Sequence, residues 1–141
     1  MKKLLSILIL LVMMPSLMAH PWKPSHYVII DTDGGLDDMK AICMLLASPD
    51  VRVMAIIASP GFHTEEDTYE SVRSMLDEFH HEGVTVVRSK DAGPVINYEI
   101  NSETSPVYFV ELGSMETVAR SIGSIPGFRK KIRQIFCSND G

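Results

Sequence analysis

Apolar positions along the chain fall into short runs that switch between two periods. Tyr27-Val28-Ile29-Ile30 is a continuous, largely β-branched run, the pattern of a strand buried on both faces. Met39, Ile42, Cys43 and Leu46 recur at i, i+3, i+4 and i+7, which marks one face of a helix. Asp37 and Asp38 open that helix, where negative charge meets the positive end of its dipole. Ser48-Pro49-Asp50 stops it, and Val51 to Ala58 reads as a second strand closed by Ser59-Pro60-Gly61. Thr64 and Asp67 have the spacing of a capping box, with Asp in place of Glu. The helix they open has Val72, Met75, Leu76 and Phe79 on its apolar face, and beyond Gly83 a third strand is predicted over Val84 to Val87.

Ser89 to Ser105 carries Gly93-Pro94 and no sustained period, so an irregular loop is expected there, with a short strand at Val95-Ile96. Val107 to Leu112 returns to a strand pattern. A helix is expected from Ser114, with Met115, Val118, Ala119 and Ile122 on its apolar face, ended by Pro126-Gly127. Phe128 to Arg133 reads as a turn or two of helix and Gln134 to Cys137 as a last strand. Strands alternating with helices predict an α/β fold, a mostly parallel sheet with helices on both faces.

The N-terminus stands apart from this pattern. Lys2 and Lys3 precede an apolar run from Leu4 to Met14, and Pro15 to Ala19 ends on a small residue. That is the layout of a secretory signal peptide over residues 1–19, too short for a comfortable membrane span. The expected product is exported, periplasmic or secreted. Residues 20–26, with Pro21 and Pro24, read as an extended lead-in, and 27–141 as the folded domain.

Composition narrows the function classes. Cleavage after Ala19 leaves 122 residues (141 − 19) and takes Lys2 and Lys3 with it, moving the formal charge from −5 to −7. An acidic exported domain lacks the clustered cations that nucleic acid or anionic membranes require, so neither is an expected partner. The dense basic run Arg129-Lys130-Lys131 reads as a solvated helix end. Two cysteines, Cys43 and Cys137, do not make a disulfide framework, and Cys43 falls on a helix face as a buried thiol. His80-His81 reads as a helix end, His63 as a surface residue on the same sheet edge as Asp31, and Trp22 as packing on the domain surface.

The chemistry concentrates in Asp31-Thr32-Asp33-Gly34-Gly35-Leu36-Asp37-Asp38, at the carboxyl end of the first strand, where parallel α/β sheets bind ligands. Four carboxylates in eight residues repel one another unless a positive charge sits among them. A hard divalent cation takes oxygen ligands and relieves that repulsion. Gly34 and Gly35 let the loop fold tightly. An acidic helix start accounts for Asp37 and Asp38 but leaves Asp31 and Asp33 unexplained. An EF-hand loop is excluded, because Leu36 and Ile42 occupy the positions where Gly and the bidentate Glu are needed.

The run Val28 to Asp38 resembles the signature of the inosine-uridine-preferring nucleoside hydrolases, a buried strand into Asp-Thr-Asp-Pro-Gly-x-Asp-Asp and a helix, with Gly34 in place of Pro. Val53-Met54-Ala55-Ile56-Ile57 is similar to that family's second strand. Val107 to Ala119 is similar to its strand into Gly-Pro-Leu-Thr-Asn-x-Ala, and Pro126 to Gly141 to the segment before its Met-Gly-Gly. The resemblance implies a Rossmann-like core and hydrolysis of the N-glycosidic bond of small-molecule ribonucleosides with bound Ca²⁺. It implies Asp33 and Asp38 as calcium ligands together with the backbone carbonyl of Leu112, and Asp33 also as the base that takes a proton from the metal-bound water. It further implies Asp37 on a ribose hydroxyl and Asp31 supporting the loop. A homo-oligomer is compatible with it.

Three departures are visible. Gly61 is followed by Phe62 where the family has a sugar-contacting Asn, and Glu116-Thr117 replaces the later Thr-Asn. The family's further metal-binding Asp, preceded by His, lies in a second half with no counterpart before Gly141. The domain is therefore expected to be incomplete, an N-terminal half, and its activity impaired. Two alternatives remain. Asp31-Thr32-Asp33-Gly34 also resembles the first motif of haloacid-dehalogenase-like phosphatases, with Asp31 as nucleophile, Asp33 as acid/base and Mg²⁺. The chain is otherwise an inactive remnant or cation-binding module.

Overall fold

A computed structural model of the chain describes residues 23–138. The expected signal peptide at 1–19, the first part of the expected lead-in and Trp22 lie outside the described residues. Five strands form one all-parallel sheet in the order β3-β2-β1-β4-β5. They are β1 (His26–Thr32), β2 (Val51–Ala58), β3 (Thr85–Arg88), β4 (Val107–Glu111) and β5 (Ile132–Cys137). The central strand β1 is buried from Tyr27 through Thr32, as a strand covered on both faces must be.

Alternate side chains of the strands feed two apolar layers. Val28, Ile30, Val53 and Ile56 pack with Ile42 of α1 (Leu36–Ala47) and with Val72 and Leu76 of α2 (Glu65–Glu78). On the other face Ile29, Ile57 and Phe109 pack with Ile96 and Ile100 of α3 (Ala92–Ser102), Val118 of α4 (Glu116–Ser124) and Phe128 of α5 (Phe128–Lys131). Ile29, Ile30, Ile56 and Ile57 have no exposed surface. Each such side chain contributes about 1.5–3 kcal/mol of burial. No described helix is long and apolar enough to cross a membrane. Cys43 and Cys137 are free, and the Cys43 thiol packs 3.5 Å from Met75 Sδ between α1 and α2.

The expectation for residues 89–105 is corrected. A short 3-10 turn at Ser89–Asp91 runs straight into α3, and there is no strand at Val95-Ile96. Ala92, Ile96 and Ile100 repeat every four residues and form its buried face. Gly93 and Pro94 sit in the first turn, where backbone N–H groups have no intrahelical acceptor and a proline loses nothing. Punctuation that reads as loop is the start of a helix.

Two smaller differences matter for the site. The helix expected from Ser114 begins at Glu116, after Met115 turns into the left-handed region at φ 62°. Its inward face is Thr117, Val118 and Ser121, while Met115 and Ala119 point outward. Phe79, expected in the core, is half exposed as the C-cap of α2. There His80 takes the left-handed conformation, and the N–H groups of His80 and His81 close onto the carbonyls of Asp77 and Leu76. The backbone, not the imidazoles, satisfies the helix end.

Candidate functional site

All five strands point the same way, so their carboxyl ends share one edge of the sheet. There the loop after β1 meets the loops after β2 and β4. The Ser59 N–H donates to the Thr32 carbonyl at 2.8 Å and the Leu112 N–H to the Asp31 carbonyl at 2.9 Å. The Asp33 carbonyl accepts from the His63 N–H at 3.2 Å and from the buried Thr68 hydroxyl at 3.0 Å. The loop after β2, the start of α2 and the end of β4 thereby hold the acidic loop from its backbone outward.

Within the loop the turn is built by short polar contacts. Thr32 Oγ1 donates to Asp38 Oδ2 at 2.8 Å and accepts from the Gly34 N–H at 3.1 Å. Gly34 sits at φ +84°, and a Cβ there would lie 2.8 Å from Thr68 Oγ1. A proline, with φ fixed near −65°, does not fit this turn. Here the chain departs from the motif it resembles, and the loop has the conformation that departure permits. Asp33 receives the Gly35 N–H on Oδ1 and the Phe62 N–H on Oδ2, at 3.3 and 3.1 Å. Gly61 packs so closely that a Cβ would come 2.6 Å from Asp33 Cβ.

The sequence-predicted carboxylates separate into two groups. Asp33, Asp37 and Asp38 close around the space beside Gly35. A Cβ placed there would lie 3.0 Å from Asp37 Oδ1, 3.6 Å from Asp33 Oδ1 and 3.8 Å from Asp38 Cγ. Asp38 is 6% exposed. Burial raises its carboxyl above the usual range, the Thr32 hydroxyl holds it down, and Asp33 and Asp37 push it further up. Acid oxygens that converge and repel are the donor chemistry of a hard cation, and in that respect the residues fit one. Among the described residues no group of three or more His, Cys, Asp or Glu side chains is drawn into a closed coordination set. Leu112, whose carbonyl the resemblance assigns to the metal, is held beside β1 by its own N–H.

Asp31 belongs to a second group. It is 1% exposed, under the loop rather than on its surface, and it pairs in register with Glu111 of β4, also 1% exposed. Neither Asp31 oxygen nor Glu111 Oε2 accepts a hydrogen bond, while Glu111 Oε1 accepts weakly from the Gly113 N–H at 3.3 Å. Burial pushes the Asp31 carboxyl up to about 6, against the Ser59 and Thr117 hydroxyls beside it and the charge of Arg120. Burial, then the charge of Asp31, pushes Glu111 up to about 7. A carboxylate with no open face cannot receive a phosphoryl group, so nothing here favours Asp31 as a nucleophile.

Sequence reasoning missed Glu111, Thr117, Ser59 and Thr68. Glu111 closes an otherwise largely apolar strand, and that is the one signal that marks it: a carboxylate at the end of a buried strand has to answer to another polar group. The hydroxyls carry no comparable mark.

Comparison with known proteins bears on the family and the fold. Residues 28–97 match the family described as inosine-uridine preferring nucleoside hydrolase. Proteins described as pyrimidine-specific ribonucleoside hydrolase RihA, from Salmonella paratyphi B and Salmonella agona, are 47% identical over 49 residues. That match covers 35% of this chain and 16% of theirs. Among solved structures, a plant nucleoside hydrolase, PpNRh1, superposes with a TM-score of 0.70 at 22% identity, over 81% of this chain and 48% of its own. A purine-preferring ribonucleoside hydrolase from Gardnerella vaginalis gives 0.69 at 18%, over 79% of this chain and 48% of its own. The chain thus spans about half the length of these solved structures, and they share its Rossmann-like α/β fold.

Proposed function

Through residues 28–97 the chain belongs to the inosine-uridine preferring nucleoside hydrolase family, and on that premise we propose that it carries the water-activating, sugar-gripping part of a site that cleaves the N-glycosidic bond of ribonucleosides. The observation that carries this reading is the convergence of Asp33, Asp37 and Asp38 on the space beside Gly35.

In this reading Asp33 takes a proton from the attacking water. Its two oxygens are aimed by the Gly35 and Phe62 N–H groups, which leaves the carboxylate oriented but still able to accept. Water adds to the anomeric carbon, the C–N bond pair leaves with the base, and the base takes up a proton from solvent. The sugar passes through an oxocarbenium-like state, and carboxylates fixed around it stabilise its positive charge. Asp37, exposed at the helix start, grips a ribose hydroxyl. Asp33, Asp38 and the Leu112 carbonyl would hold Ca²⁺, whose charge makes the attacking water more acidic when bound. Asp31 remains below as a support for the loop.

The names of the relatives differ between purine and pyrimidine preference, so the base is left general here. Export belongs to the same proposal, supported by Lys2, Lys3 and the apolar run that follows; mature material would begin at His20. The test is release of free ribose from inosine or uridine by the purified chain. Release that stops with a chelator and with Asp33→Ala supports the reading. No release, or release that survives Asp33→Ala, overturns it.

A further inference from the structure

Phe62 stands in the loop after β2, directly against the acidic loop, with its ring in solvent. That ring is 72% exposed, yet the backbone that carries it is held by hydrogen bonds on both sides. The Phe62 N–H donates to Asp33 Oδ2, the His63 N–H to the Asp33 carbonyl, and the Gly61 N–H to the His63 carbonyl at 3.0 Å. Gly61 itself packs against Asp33 with no room for a side chain. The His63 ring meets Phe62 edge-on, with centroids 4.8 Å apart and planes at 84°. His63 also backs onto the loop, 3.3 Å from the β position of Gly34.

Two aromatic residues with rings at right angles are therefore tied through their backbone to Asp33, Phe62 to its carboxylate and His63 to its carbonyl, and Asp33 is the base of the proposed reaction. Leaving an apolar ring of this size in water gains nothing for the fold, and a mobile loop could turn it inward. A rigid apolar ring at the rim of a polar cradle is a recognition surface for a flat ring. In the reading above, a ribose gripped at a hydroxyl by Asp37 turns its anomeric carbon toward the water that Asp33 activates. The neighbouring surface on the β2 side is Phe62.

We propose that Phe62, braced by His63, is the platform on which the heteroaromatic base of the ligand stacks, so that the acidic loop holds the sugar and the loop after β2 holds the base. This rests on the ribonucleoside reading above and deepens it. Stacking reads the π-face of a ring rather than its edge, so purine and pyrimidine nucleosides should both use the platform.

Calorimetric binding of inosine, uridine and free ribose in the presence of Ca²⁺, to the full chain and its Phe62→Ala and Phe62→Trp variants, tests this. Phe62→Ala should weaken both nucleosides by about 5- to 150-fold, the change that about 1–3 kcal/mol of lost stacking gives. Ribose binding should be unchanged, and Phe62→Trp should keep nucleoside affinity. Because the ring is exposed, unchanged melting temperatures of the variants are expected and serve as the folding control. Nucleoside affinity that is indifferent to Phe62→Ala overturns the platform while leaving the hydrolase reading intact. Equal losses for ribose and nucleosides place the ring on the sugar and overturn base stacking. A wild-type chain that binds no nucleoside overturns both readings.

Discussion

Among single residues, Glu111 has the clearest consequence. It and Asp31 are buried side by side with three oxygens lacking partners. Their carboxyls are raised to about 7 and about 6. A raised acid pKa means that the folded state binds protons more tightly than the unfolded chain. The stabilisation is complete below the ordinary carboxylate range near pH 4 and is lost as pH rises through 6 and 7. Without divalent cation, the melting temperature should therefore fall between about pH 4.5 and 7.5. Glu111→Gln should raise it at pH 8, leave it nearly unchanged at pH 5 and flatten the slope; a pH-independent melt would contradict this. The acidic motif was legible because four aspartates in eight residues need an explanation. Its division into an open cradle and a buried pair was not. Asp31 is still inside β1 while Asp33 lies just past its end in the loop, a boundary the pattern does not mark, and Glu111 reaches Asp31 through register, which is invisible in either segment alone.

At the level of elements, the periodic signals located β1, α1, β2 and α2 closely, because each has a clean period and a marked end. They failed where first-turn chemistry imitates a loop. Gly93-Pro94 hid α3, whose buried face of Ala92, Ile96 and Ile100 became apparent only against the sheet. In α4 the inward positions are partly Thr117 and Ser121, which no apolar pattern selects. The C-terminus of α2 offers a direct test of local design. His80 occupies the left-handed position at φ 57°, where glycine carries no steric penalty, and its side chain is exposed. His80→Gly should stabilise the protein by about 0.5–1 kcal/mol in urea unfolding. A destabilised variant would show that the imidazole contributes more than the backbone closure does.

For the molecule as a whole, the cradle couples folding to cation concentration. The acids of the acidic loop repel one another without a positive partner, so Ca²⁺ bound to the folded chain should raise its stability. At a hundredfold excess over Kd the gain is about 2.7 kcal/mol. Thermal melts should shift upward with Ca²⁺, return with a chelator and lose the response in Asp38→Asn. An unresponsive wild-type melt would remove the cation from the proposed site.

The order β3-β2-β1-β4-β5 also has a bearing on time. Tyr27 lies beside Val107 and Asp31 beside Glu111, and both pairs are 80 residues apart in the chain. Parallel pairings of such separation close slowly, because a long loop must be ordered before any contact rewards it. Synthesis delivers the acidic loop early, yet its carboxylates have no lasting environment until β4 arrives on the far side of β1. Until then they stay hydrated and ionised at neutral pH. Closure of the β1–β4 seam is the moment at which Asp31 and Glu111 lose water and take up protons. Proton uptake on refolding at pH 6–7 would thus keep the clock of the central strand.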